Sequence, residues 1–526
     1  MAMRAMGYTF TNQLLRSIKR RVREERGSSD GDVEAYYRPY AEELEKARTR
    51  PVNMIDFLNE ASRRRVTLVG DFHTLGDAQK NYLQIVERLV ERKVRPIVVL
   101  EMVHAAYDLP VHQYVRHSIT EVDFLERINY FKNWGFDFTN YRPIFEYARK
   151  HKLAVHGLDK NGELDSRDRF MAWRIRHIDA RYPDQPILVL VGDLHLASKH
   201  LPLELLHQGI EPLRLFQNSE SIYMRKLKRG LQPRGWWWLS RDRFVWNTTS
   251  PVVKMQTYLT WLQHGGEAIY AMYGYCPRGN AGDEEIELSD TVQQYIRALH
   301  DLFGLRHRPD DDFQVFTFHS LHFLDDPYFK SGPGARYAGL VRDGRSLFTR
   351  WNKTIYVPLL DINQTVEESM HYLMDRELPV EKGLKAFMER AHYFSSGYIA
   401  SKLINPTRTS PTARDMEELV QRHPGIHREK DRNKLERQAR VFKNTLAFLR
   451  LVSTDGPWIS KEIDPILGTD RETLYSVSRQ AGYWLGERLF RAYDEGRISG
   501  ANLRRYAFQQ SDPIYLLEGA DLELAS

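Results

Sequence analysis

The chain has 526 residues, of which 42% are hydrophobic and 12% aromatic, enough for more than one folded core and too much for global disorder. Its net charge of +6 is modest for this length, so charge alone points to no anionic partner. The single cysteine, Cys276, excludes an internal disulfide and fits a reducing compartment.

Residues 1–50 read as a helical, charged lead-in that stops at Pro51, where the helix YAEELEKARTR should end. Its opening segment has no apolar core of signal-peptide length before the basic run RSIKRRVREER. No apolar run approaches the ~20 residues of a membrane span, so the expectation is a soluble, cytoplasmic protein.

From residue 64 the texture changes to short apolar runs separated by amphipathic segments. The runs are VTLVGD (66–71), RPIVVLE (95–101), LAVHGLD (153–159), PILVLVGD (186–193) and PLRLF (212–216). Between the first two, Leu83, Val86, Leu89 and Val90 form one stripe at helical spacing. Continuously apolar strands alternating with helices predict an α/β fold, a parallel sheet flanked by helices. The insertion between Glu101 and Leu153 is helical and aromatic, and predicts a small helical subdomain at about 103–150. The first domain, 51–265, closes with RFVWNTTSPVVKMQTYLTWLQHG. Residues 266–526 read as a second, mainly α-helical domain whose role the pattern does not disclose.

The chemistry gathers where the apolar runs end. Asp71 and His73 close the first, Glu101 the second, Asp159 the third, and Asp193 with His195 the fourth. Ligands of parallel α/β sheets sit outside the carboxyl ends of the strands. Two copies of G-D-x-H at such ends therefore predict a polar cleft. Positions i and i+2 share a face of an extended chain, which would present acid and imidazole together. This residue set suits iron or a divalent metal ion held by His73, Glu101 and His195. It equally suits acid–base catalysis, with a carboxylate holding an imidazole's tautomer.

The ordered set VGDFH, VVLEM, NWGFDFTNYRPIFEYARKHKLAVHGL and VGDLHLASKHLP resembles the ChaN-like haem-binding uptake family of the Tiki superfamily. The resemblance spans residues 60–220 and includes Trp134, Tyr141 and Pro143. It implies haem or iron as the ligand, with Asp71, His73, Glu101, Asp193, His195 and Tyr141 as the cofactor-binding set. The family's haem is held by a tyrosine of the helical subdomain, often between two protomers, so the resemblance also implies a homodimer. Tyr107, Tyr114, Tyr130 and Tyr141 all lie in that region, and the choice among them stays open. The first motif departs from the family's usual G-E-x-H in having Asp71, and no export signal accompanies it.

Two alternatives remain. In one, His73, Glu101 and His195 are catalytic residues of a metal- or histidine-dependent ester or amide hydrolase, as the superfamily includes erythromycin esterases and proteases. In the other the cleft is vestigial and the chain is a scaffold or interaction protein. The basic segment 221–243 and the tryptophans Trp236, Trp237, Trp238 and Trp246 could contact a membrane surface peripherally. No nucleic-acid-binding motif accompanies them, so nucleic acid is not an expected partner. Two E-x-x-H pairs, Glu368 with His371 and Glu389 with His392, fall on a helix hairpin around Pro379. Without further glutamates to complete a di-iron site, each reads as a surface Glu beside a half-buried His.

Overall fold

The computed structural model describes residues 2–272 apart from 27–30 and 161, residues 289–410 apart from 307, 308, 310, 318, 319, 343, 344, 359, 360, 382 and 407, and residues 441, 443–445 and 471–508. Cys276 lies outside them. The chain divides into two compact units, Met1–Gly282 and Asp283–Ser526.

The first unit is built on a mixed eight-stranded sheet. Its strands are β1 (Arg50–Val52), β2 (Val66–Asp71), β3 (Ile97–His104), β4 (Val155–Asp159), β5 (Ile187–Gly192), β6 (Leu213–Gln217), β7 (Gly235–Ser240) and β8 (Arg243–Asn247). Their order across the sheet is β1-β7-β8-β6-β2-β5-β3-β4. From β8 to β4 every neighbouring pair is parallel, while β7 runs antiparallel between β8 and β1. All five apolar runs of the sequence are strands of the parallel part, as the α/β reading expects. The tryptophan-rich hairpin adds the antiparallel edge. There Trp237 is buried beneath the Lys226 ammonium, 3.9 Å from its ring centroid, so part of the basic–aromatic segment serves the fold.

Alternate residues of each strand feed opposite faces, and each face has its own core. Val69, Val98, Leu100, Leu188 and Leu190 meet the helix Gly76–Glu91 and the helical insertion. Leu68, Val99, Val189 and Val191 meet the helices Leu164–Arg181 and Leu201–His207. The buried stripe of helix Gly76–Glu91 centres on Tyr82, Ile85, Val86 and Leu89, with Leu83 and Val90 at its margin. The insertion holds the helices Asp108–Val115, Glu121–Arg127, Tyr130–Asn133 and Arg142–His151 around an aromatic cluster, in which Tyr114 stacks on Phe124 at 4.5 Å. The lead-in is helical at Ala2–Arg26 and Gly31–Lys46.

The second unit holds a small sheet of β9 (Gln314–Phe316), β10 (Leu347–Thr349) and β11 (Thr354–Tyr356), with β11 in the middle. Its helices Ile362–Met374 and Leu384–Ile404 form the expected hairpin, and the latter is buried on most sides. One expectation is corrected here. Glu368 is not a surface residue: it is buried, and accepts hydrogen bonds from His371 Nδ1 at 2.8 Å and from Tyr393 Oη at 3.3 Å. A carboxylate satisfied twice tolerates the interior. In the second pair Glu389 is half exposed, and His392 Nε2 is turned away to the Tyr506 carbonyl at 2.8 Å.

Among the described residues, no helix is long and apolar enough to cross a membrane.

Candidate functional site

The parallel strands end on one edge of the sheet, and their polar residues converge there. β2 delivers Asp71 as its last residue, and the chain then turns, the Leu75 amide donating to the Phe72 carbonyl, which brings His73 back to Asp71. His73 Nδ1 lies 3.0 Å from Asp71 Oδ2. The same oxygen accepts from Tyr141 Oη at 2.8 Å, and Asp71 Oδ1 accepts from Gln79 Nε2. Asp71 is 3% exposed, so three donors replace its water.

The second motif behaves differently, which corrects the expectation of two equal acid–imidazole pairs. After Gly192 the chain turns into a 3-10 segment, Asp193–Leu196, so its acid and imidazole point apart. Asp193 pairs with Lys254 Nζ at 2.7 Å. His195 turns toward Asp168, with Nδ1 2.7 Å from Oδ1 and Nε2 3.4 Å from Glu101 Oε1. Residue spacing alone does not carry a face once the extended backbone ends.

Glu101 joins the two halves. It accepts the Gly192 amide on Oε2 and the Arg167 guanidinium on Oε1 at 2.6 Å. Arg167 also holds Asp159, with Nε at 3.0–3.1 Å from both carboxylate oxygens. Gly192 is closely approached: a Cβ would stand 3.3 Å from Glu101 Oε2 and from His73 Cε1 and Nε2, tighter than ordinary contact. That glycine lets His73 and Glu101 approach from either side.

The charges follow from these contacts. Burial disfavours a charged His195, but Glu101 and Asp168 outweigh it and lift the imidazole to about 9. Burial would raise Glu101, yet His195, Arg167 and His73 hold it well below the usual carboxylate range. Burial also opposes protonation of His73, and the Asp71 bond and charge raise its pKa in spite of that. The interior is therefore a lattice of paired charges rather than a set of free ligands.

The imidazoles differ most in availability. His195 is buried with both nitrogens engaged. His73 is 24% exposed, its Nδ1 is held by Asp71, and its Nε2 has no partner among the described residues. Its ring lies 4.5 Å from Trp134 and 5.0 Å from Phe136. Tyr141 is fully buried behind Asp71, and Tyr114 is buried with its hydroxyl on Glu121. Tyr130 is buried, whereas Tyr107 is half-buried near Asn129. Among the described residues, the triads whose ligand atoms converge within 4.8 Å are Asp108–His112–His156 and Asp165–Asp168–His200. In the first, Arg174 already sits on Asp108.

Sequence reasoning missed several members. Tyr36, from the lead-in helix Gly31–Lys46, places its hydroxyl 2.7 Å from both His195 Nδ1 and Asp168 Oδ2. Its ring stacks on His200 at 3.8 Å, so His200 is a buried part of the network. Arg167 and Asp168 share the helix Leu164–Arg181, where adjacent charged residues gave no signal beyond an ordinary solvated turn. Lys254 lies on the helix Pro251–Met272. A lone lysine between apolar residues in SPVVKMQ was the available hint.

A parallel α/β sheet with an acid–imidazole site at its carboxyl edge and a helical insertion after β3 defines the class of this unit. Residues 57–164 match the family described as haem-binding uptake, Tiki superfamily, ChaN. That segment carries Asp71, His73, Glu101 and Tyr141, and ends before β5. A solved structure, "Cofacial heme binding to ChaN of Campylobacter jejuni", is similar at 14% identity over 34% of this chain and 90% of that one, with a TM-score of 0.29. No curated protein matches the chain.

Proposed function

We propose that the first unit binds haem, with His73 Nε2 as the nitrogen offered to the iron and Asp71 orienting the imidazole. One observation carries this reading: His73 combines a carboxylate-held Nδ1, a partner-free Nε2 and aromatic neighbours in a half-open position. Histidine ligands characteristically donate their second nitrogen to a carboxylate, which fixes the tautomer and strengthens the ligand. Bound haem would supply an iron centre whose properties depend on the residue that holds it.

The other residues of the set act in support. His195 would have to give up its bonds to Asp168 and Glu101 before it could ligate, so it serves as a buried cation that stabilises Glu101. Tyr141 supports Asp71 from behind. A bare divalent ion on His73, Glu101 and His195 is a poorer fit, because Arg167 already neutralises Glu101.

Titration of the full chain with haem should give a saturable, shifted Soret band whose position and affinity both change in His73→Ala. A spectrum equal to free haem plus inert protein would falsify the reading.

The Asp71–His73 pair also favours a second reading. A carboxylate at Nδ1 and a free Nε2 is the arrangement of a general base, which suits ester or amide hydrolysis. A broad esterase and peptidase screen of wild type against His73→Ala tests it, and hydrolysis that survives the substitution removes it.

A further inference from the structure

His73 stands on a larger aromatic surface than its two neighbours in the insertion. Phe136 stacks on Trp261 at 4.9 Å, Trp261 stacks on Tyr258 at 5.9 Å, and Tyr258 meets Phe72 edge-on at 6.0 Å. Phe72 precedes His73 in the chain, so these rings form a continuous band around the imidazole. Tyr258 and Trp261 come from the helix Pro251–Met272, far outside the segment 57–164 that matches the haem-binding family.

That helix is fastened to the site along one face. Lys254 reaches Asp193, Thr257 Oγ1 lies 3.1 Å from Thr74 Oγ1, and Trp261 Nε1 donates to the Gly135 carbonyl at 3.1 Å. Positions 254, 257, 258 and 261 share a helical face, so the same turns that dock the helix also present its rings. Yet Phe72, Trp134, Phe136, Tyr258 and Trp261 all remain half-buried. A single half-buried ring is ordinary at the margin of a core. Contiguous aromatic surface left partly wet marks a binding face.

We propose that this aromatic band recognises the tetrapyrrole plane itself, so that the protein binds metal-free porphyrin as well as haem. The inference rests on the haem reading for its ligand class, but not on coordination by His73. A flat macrocycle laid along the band meets the edges and outer faces of several rings at once, and each such contact adds to affinity without an iron bond. The free imidazole nitrogen at the edge of the band then adds iron preference on top of plane recognition.

The test titrates the full chain with haem and with metal-free protoporphyrin IX, read by tryptophan quenching and by porphyrin absorption. Wild type should bind both. Trp261→Ala and Tyr258→Ala should each weaken both ligands by roughly tenfold, the scale of one aromatic contact. Trp261→Phe and Tyr258→Leu keep the bulk that packs the helix, and Trp261→Phe, which keeps a ring, should hold affinity better than Trp261→Ala. His73→Ala should weaken haem at least tenfold more than protoporphyrin. Wild type that binds haem and rejects protoporphyrin overturns the inference, as do folded band variants with unchanged protoporphyrin affinity. Band-dependent protoporphyrin binding without any His73-dependent haem shift upholds the band and removes the coordination reading instead.

Discussion

Tyr36 and His195 stand 159 residues apart in sequence and lie 2.7 Å from oxygen to imidazole nitrogen in the interior of the first unit. The Tyr36 hydroxyl donates to Asp168 and accepts from the His195 Nδ1–H, which a protonated imidazole supplies. The lead-in helix is thus part of the polar network.

Tyr36→Phe removes that hydroxyl and leaves Asp168 with one donor fewer in a buried setting. The expected cost is about 1–3 kcal/mol, the range for a buried polar group losing its partner. Urea unfolding followed by circular dichroism measures it, and an unchanged midpoint contradicts the role given to Tyr36.

His195 makes stability depend on pH. Its folded pKa of about 9 exceeds the ordinary 6.5, so its contribution is complete below 6.5 and disappears as pH rises through 9. The span corresponds to roughly 3 kcal/mol. Wild type should lose stability between those limits by more than His195→Gln does, and parallel curves would contradict the assignment. Glu101 works in the opposite sense: its pKa is depressed, so its contribution is lost only as pH falls through the acid range.

Arg167 is the shared cation of Glu101 and Asp159. Arg167→Met strands two buried carboxylates and should cost about 3–5 kcal/mol. Arg167→Lys restores charge without the planar fork and should recover part of that loss. Equal midpoints for the two variants in urea would show that packing of the side chain, not its charge, matters there.

Asp71→Asn keeps the shape of the residue but weakens its hold on the His73 Nδ1–H. Haem affinity should fall about 10- to 100-fold, as for other partners of a ligating histidine. Tyr141→Phe, acting one bond further back, should cost less. Absorption titrations rank the two, and the reverse order would point to a direct role for Tyr141.

In the second unit, a Cβ on Gly397 would stand 2.7 Å from His371 Nε2. Gly397→Ala therefore crowds the buried Glu368–His371 pair and should destabilise that unit by about 1–3 kcal/mol, despite the helix propensity gained. Hydrogen exchange of the helix Leu384–Ile404 reads the effect locally, and unchanged protection would contradict it.

Five strands, their parallel direction and the position of Asp71, His73 and Asp193 at or just past strand ends were legible in the chain because they depend on local pattern; Glu101 was placed at a strand end, but β3 runs through it to His104. A continuous apolar run must be buried on both faces, and a glycine followed by an acid marks where it stops. The helical insertion was legible for the same reason. The antiparallel edge was not, since consecutive tryptophans suit a strand, a helix or a loop equally until a partner is found.

Sequence by itself determined which side chains reach the carboxyl edge of the sheet, because backbone periodicity delivers them there whatever lies around them. Only the tertiary structure decided what each one does. Two copies of V-G-D-x-H, VGDFH and VGDLH, part company because the strand still includes Asp71 in the first, whereas in the second it stops at Gly192 and Asp193 already begins a 3-10 turn. His73 keeps a free nitrogen because its surroundings are aromatic, while His195 loses both to Tyr36, Asp168 and Glu101, which arrive from three separate elements. Such pairings depend on how helices pack across a sheet. No local spacing encodes them.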